Sequence, residues 1–340
     1  RYPEVHMPNT AVYVYNQGYR DPDGLLESQG YEVKLENTIG VYGSGLLDAI
    51  PDQDIIDQYA KEAADGKLKN GLNPAFWDGG FATSGYYKND PQWGPKRFTY
   101  ALTRGPIMDG AGANAIWNIT NVTRSDRKYH YLDLNGTIYA EYASKDPEVQ
   151  TAFGTEEEIY KYLTSKELPA EMTDEEFTQV MVWHRGLAVP AARGVNDEKV
   201  LRGKELFTQI GCDYCHRPTW TTGSDEVRDP NNFPVTASMP RYPNQKIWPY
   251  TDMIQHKLCM ENDIRTGWCR TTPLWGRGLH RKATGDAYEA RMHDTRARNE
   301  NEAIMWHGYS NQSDAYWPTQ QFYKLNKEDR DAVVAFINAI

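Results

Sequence analysis

The residues in this chain best suited to chemistry are Cys212, Cys215 and His216, within the run Gly211-Cys-Asp-Tyr-Cys-His216. Two cysteines three positions apart, followed at once by histidine, form the attachment signature of a c-type haem. The two thiols would close thioether bonds to the porphyrin, and His216 would become the proximal iron ligand. A thioredoxin-like redox pair should instead open a βαβ unit, and no such pattern precedes Cys212. A zinc site needs a second ligand pair at close spacing, whereas Cys259 and Cys269 stand well apart and form no such motif. The motif therefore reads as one covalent haem. Pro218 follows two residues later and is placed to offer a backbone carbonyl to the His216 Nδ1–H, which would fix the ring tautomer.

On its other face the iron needs a sixth ligand or an open position. Downstream candidates are Met239, Met253, His256, Met260, His280, Met292, His293, Met305 and His307. Met292, in a loop just ahead of an expected helix, is the first choice, because a thioether ligand raises the potential and suits electron transfer. His256 is the main alternative and His293 comes behind it. Met305 and His307 fall on the expected helix and read as packing residues. Arg270 suits a haem propionate, since a guanidinium matches carboxylate geometry, and Trp275 is expected to line the haem beside it. Cys259 and Cys269 are expected to pair as a disulfide in an oxidising compartment.

These residues need elements to hold them. Apolar spacing predicts helices over 54–64 and 156–164, and Thr173-Asp-Glu-Glu176 is a capping-box start for another. Residues 187–194 break the pattern. A helix capped by Asn196 and carrying Val200, Leu201, Gly203, Leu206, Phe207 and Ile210 then delivers the chain to Cys212. A final helix over 328–340, capped by Asn326, is apolar at Val333, Val334, Phe336 and Ile337. The first and last helices of a cytochrome c domain cross closely, and Gly203 and Phe207 against Phe336 supply the small and aromatic partners. The fold expected is mainly α: a class I cytochrome c-like haem domain with long loop insertions over 195–340, preceded by a loop-rich region over 1–194. In that region Tyr13–Tyr15 reads as a short strand. The Gly-, Pro- and aromatic-rich stretch 71–112 reads as ligand-wrapping loop. The glycosylation-type triplets at Asn118, Asn121 and Asn135 read as accidental.

The 340 residues are 39% hydrophobic and 25% charged, as in a soluble globular protein, and carry a net charge of −10. That balance argues against nucleic acid or an anionic membrane surface as partner. No apolar run is long enough to span a bilayer. Covalent haem attachment takes place outside the cytoplasm, so a periplasmic or extracellular location is expected. The sequence starts at Arg1 without initiator Met or signal peptide, as a processed or incomplete chain would.

Several stretches occur in an order that resembles the bacterial di-heme oxidoreductases of peroxidase type, relatives of the MauG and bacterial cytochrome c peroxidase superfamily. They are Gly45–Pro51, Leu187–Arg193, Arg202–Phe207 into Cys212–His216, Tyr250-Thr-Asp252 with His256, Arg270–Gly276, and His293–Ala297 through Ala303–Gly308. The resemblance implies two cytochrome c domains with one haem each, the C-terminal haem for electron transfer and the N-terminal one for peroxide. It sets Met292 on the methionine of the superfamily's Met-His-Asp-Gly loop. The sequence departs from the pattern in having one CxxCH, so either a second haem belongs to an N-terminal segment absent from this sequence, or this member keeps a single haem. It also has His256-Lys-Leu-Cys259 for His-Asp-Met-Gly, and Thr295 for a glycine. The function expected is one-electron transfer through a covalent haem, as the electron-transfer part of a di-heme peroxidase-like oxidoreductase. Its redox partner would be another cytochrome or a small electron carrier. The alternative is a non-enzymatic electron-transfer or structural subunit of a multi-cytochrome assembly, or an oligomer.

Overall fold

The computed structural model describes residues 40–85, 87–91, 93–108, 134–164, 173–228, 239–260 and 267–340. The strand expected at Tyr13–Tyr15 and the triplets at Asn118 and Asn121 lie outside these residues. Asn135 falls in a helix whose backbone alone is described there.

The first elements are α1 (Ser44–Asp48) and α2 (Asp52–Asp65). α2 is amphipathic: Ile55, Tyr59 and Glu62 face inward, and Asp52 and Asp54 sit in its first turn, where the helix dipole favours acids. Gly66, in the left-handed region at φ 64, ends it. Next come α3 (Leu134–Lys145), α4 (Pro147–Phe153), α5 (Glu156–Thr164) and α6 (Asp174–Arg185). Thr173 and Glu176 form the expected capping box at the start of α6. Irregular chain follows to α7 (Glu198–Gln209), whose N-cap is Asp197, one residue beyond the expected Asn196. Two short antiparallel pairs come after: β1 (Trp220–Thr221) with β2 (Lys246–Ile247), and β3 (Gln255–Lys257) with β4 (Trp268–Arg270). A 3₁₀ turn (Arg277–Leu279) leads into α8 (His280–Thr284), α9 (Glu300–His307), α10 (Tyr316–Lys324) and α11 (Lys327–Ala339). The described chain is mainly helical, and no helix in it is long and apolar enough to cross a membrane.

α7 and α11 cross in direct backbone contact. A β-carbon on Gly203 would lie 1.9 Å from the Ala332 carbonyl oxygen, so only glycine allows the approach. Phe207 stacks edge-on against Phe336 with centroids 5.3 Å apart, and Leu206, Ile210, Val333, Ile337 and Met305 of α9 complete this core. A second core joins Leu47, Ile50, Ile55, Tyr59, Phe76 and Leu102 to Trp220, Ile247, Met253, Ile254 and Trp275, and so crosses the expected boundary at residue 194. Phe76, Trp77 and Phe81 all pack on the Tyr59 ring. Much of the aromatic content of the stretch expected to wrap a ligand therefore builds core instead. Buried Arg185 ties these parts together, bonding Asp48 at 2.5 Å and also Asp225.

Candidate haem site

α7 ends against the motif because the backbone turns sharply at Gly211 (φ 83), where a β-carbon would lie 2.7 Å from the Trp317 ring. Cys212 N–H then donates to the Phe207 carbonyl at 3.0 Å, and His216 N–H to the Cys212 carbonyl at 3.0 Å. The loop is pinned from the other side by the 250–252 segment. Thr251 N–H donates to the Arg217 carbonyl (3.0 Å), Asp252 N–H to the Cys215 carbonyl (2.9 Å), and Trp220 Nε1–H to the Thr251 carbonyl (2.7 Å). Arg217 lies over the Trp220 ring at 3.7 Å and donates to Gln58 of α2.

The motif opens into a cavity of about 840 Å³, a size within the range of ligand and cofactor sites. Cys212, Cys215, His216, His256, Arg270 and Met292 all line it. Around them lie apolar Phe207, Leu258, Leu274, Ile304 and Ile337, and polar Tyr100, Arg277, Arg291, His293 and His307. His216 Nδ1 stands 3.0 Å from the Tyr250 carbonyl oxygen. A carbonyl can only accept, so Nδ1 carries the proton and the Nε2 lone pair is left available. The carbonyl expected from Pro218 comes instead from Tyr250, because the turn at φ 54 there brings its peptide over the imidazole. Burial and neighbouring His307 push His216 down to about 4, so its ring is neutral near pH 7.

Two further expectations fall elsewhere. Trp275 lines a separate cavity with Val189, Ile247 and Trp248, and its Nε1–H donates to the Tyr42 carbonyl at 3.0 Å. No disulfide joins Cys259 to Cys269. The β3–β4 register sets Cys269 opposite His256, three residues before Cys259. The Cys269 thiol lies instead 3.7 Å from His293 Nδ1.

Behind Cys215 is a buried polar cluster. His256 Nε2 lies 2.7 Å from Asp252 Oδ2 and 3.8 Å from Glu62 Oε2, and potential ligand atoms of Cys215, Asp252 and His256 come within 4.8 Å of one another. Burial disfavours the charged ring, yet its contacts with Cys215 and with the Asp252 carboxylate, which lies 2.7 Å from Nε2, hold His256 well above its ordinary value. Burial and the Asp252 carboxylate push Glu62 up to about 8. Burial likewise pushes the Cys212 and Cys215 thiols up to about 12 and 11.

The donor set fits a haem. Arg270 is 5% exposed, and among the described residues its Nε and Nη2 have no partner, nor has Arg291 Nη1. An orphaned buried guanidinium costs several kcal/mol unless something anionic completes it, and a propionate at this cavity would. Sequence reasoning singled out Arg270 but missed Arg277, Arg291 and the Tyr250 carbonyl. The arginines had no spacing signal, and a backbone acceptor leaves none.

A helix closing on a Cys-x-x-Cys-His loop, above an apolar cavity edged by arginines, defines a protein built to hold a porphyrin. Residues 149–340 match the family model described as "Di-haem oxidoreductase, putative peroxidase", and the chain belongs to that family. No curated protein and no solved structure matches the chain.

Proposed function

We propose that this chain transfers single electrons through a haem attached covalently to Cys212 and Cys215, with His216 as proximal ligand, in a cytochrome c-like domain over 195–340. It would serve as the electron-transfer part of a peroxidase-like oxidoreductase. The observation that carries this reading is the Cys-x-x-Cys-His loop opening into a haem-sized cavity, with its imidazole fixed through Nδ1 to the Tyr250 carbonyl. The bound haem supplies an iron that cycles between two oxidation states. The protein's own residues do the rest. Cys212 and Cys215 provide thiols for thioether bonds, and the Tyr250 carbonyl keeps the His216 Nε2 lone pair directed to the metal. Arg270 and Arg277 offer cations to the propionates, Arg291 being paired with Glu289 and Glu300, and Phe207, Leu258, Leu274, Ile304 and Ile337 keep water from the ring. Thioether attachment implies assembly outside the cytoplasm, with a second cytochrome or a small electron carrier as partner. Potentiometric titration of the purified protein tests this: a single-electron, reversible haem couple is expected, and a chain with no reducible haem would refute it.

A further inference from the structure

His307 was expected to be a packing residue on a helix. It is instead the ring facing His216. α9 is capped by Asn299, which accepts from Glu302 N–H at 2.9 Å, and it buries Met305 and Trp306. Its C-terminal end is held close to α10, since a β-carbon on Gly308 would lie 2.5 Å from the Thr319 side chain. This presents His307 at the cavity wall, with its ring centroid 6.4 Å from that of His216.

We propose that His307 is the sixth ligand of the haem iron, giving the site two axial imidazoles. The inference rests on the haem reading above. Two imidazoles binding one metal from opposite faces, each through a bond of about 2.0 Å, place their centroids roughly 6–6.5 Å apart. The observed separation falls in that range. The protonation pattern agrees independently. His307 Nδ1 lies 2.7 Å from the Ala303 carbonyl, as His216 Nδ1 lies 3.0 Å from that of Tyr250. Each carbonyl fixes the proton on Nδ1, and among the described residues neither Nε2 has a hydrogen-bond partner. A metal-bound histidine characteristically donates its other N–H to a backbone carbonyl in this way. The other candidates are engaged elsewhere. His256 Nε2 is held by Asp252, and His293 stands against the Cys269 thiol and the Tyr100 ring. Met292 shares the cavity wall but packs with Leu258, Met260 and Trp306.

Electron paramagnetic resonance and near-infrared magnetic circular dichroism of the ferric, haem-loaded protein distinguish these ligand sets. The wild type is expected to be low-spin with a bis-imidazole signature. His307→Ala should lose that signature and become high-spin, and added imidazole should restore it. His307→Met should gain a thioether-to-iron charge-transfer band and raise the potential. Met292→Leu should leave the wild-type spectrum unchanged. A thioether band in the wild type that disappears in Met292→Leu would overturn the assignment to His307. So would a wild-type spectrum that survives His307→Ala. Those results would leave the haem reading standing, whereas a polypeptide without attached haem would overturn both.

Discussion

Gly203 of α7 and Ala332 of α11 meet so closely that a β-carbon on the glycine would stand 1.9 Å from the alanine's carbonyl oxygen. The contact is with backbone, so no rotamer change relieves it. It sets the angle at which α7 delivers Cys212 to the cavity.

Gly203→Ala tests this crossing. Alanine is the better helix former by about 1 kcal/mol, but overpacking against an immovable carbonyl costs about 3 kcal/mol. The steric term wins, and a net loss of roughly 2 kcal/mol is expected on unfolding of the haem-loaded protein. A variant as stable as the wild type would show that the helices separate without cost.

Arg270 is a buried cation at the cavity wall. Burial pulls its guanidinium down to about 10, still well above neutrality, so it stays charged. A positive charge beside the haem favours the reduced state. Arg270→Leu should therefore lower the reduction potential by tens of millivolts, read by potentiometric titration. An unchanged potential would remove Arg270 from the haem's surroundings.

Glu62 makes stability depend on pH. Its carboxyl is raised from 4.5 to about 8 by burial and by Asp252. Between those values the folded state binds a proton that the unfolded state has released, so stability falls as pH rises through that window. Glu62→Gln keeps a group able to bond Gln58 but removes the titration. Denaturant unfolding at a series of pH values should show a flatter profile and a variant that outlasts the wild type above pH 8. Parallel profiles would show that Glu62 does not titrate in this way.

Much of this was legible in the sequence where the signal is local. Gly203, Phe207 and Phe336 identified the helix crossing because helical period and residue size suffice to match two faces. Thr173 with Glu176, and Asn326, marked helix starts through side chains that satisfy their own first turns. What sequence could not convey was the third dimension of the cavity. Trp275 and Arg270 lie five residues apart, yet they face different cavities. Cys259 and Cys269 were expected to pair because free thiols sit poorly in an oxidising compartment, yet no disulfide joins them, and the Cys269 thiol lies against His293. The Tyr250 carbonyl and the His307 ring reach the motif only through long-range folding, the one by a left-handed turn and the other by the packing of α9.

Covalent attachment at Cys212 and Cys215 is decided by the intact mass of the protein, measured after denaturation, for the wild type and for a Cys212→Ala/Cys215→Ala variant. The wild type is expected to carry the mass of a haem through denaturation, and the double variant is not. A wild type with the bare polypeptide mass, or a variant that retains the added mass, would rule out thioether attachment at these cysteines.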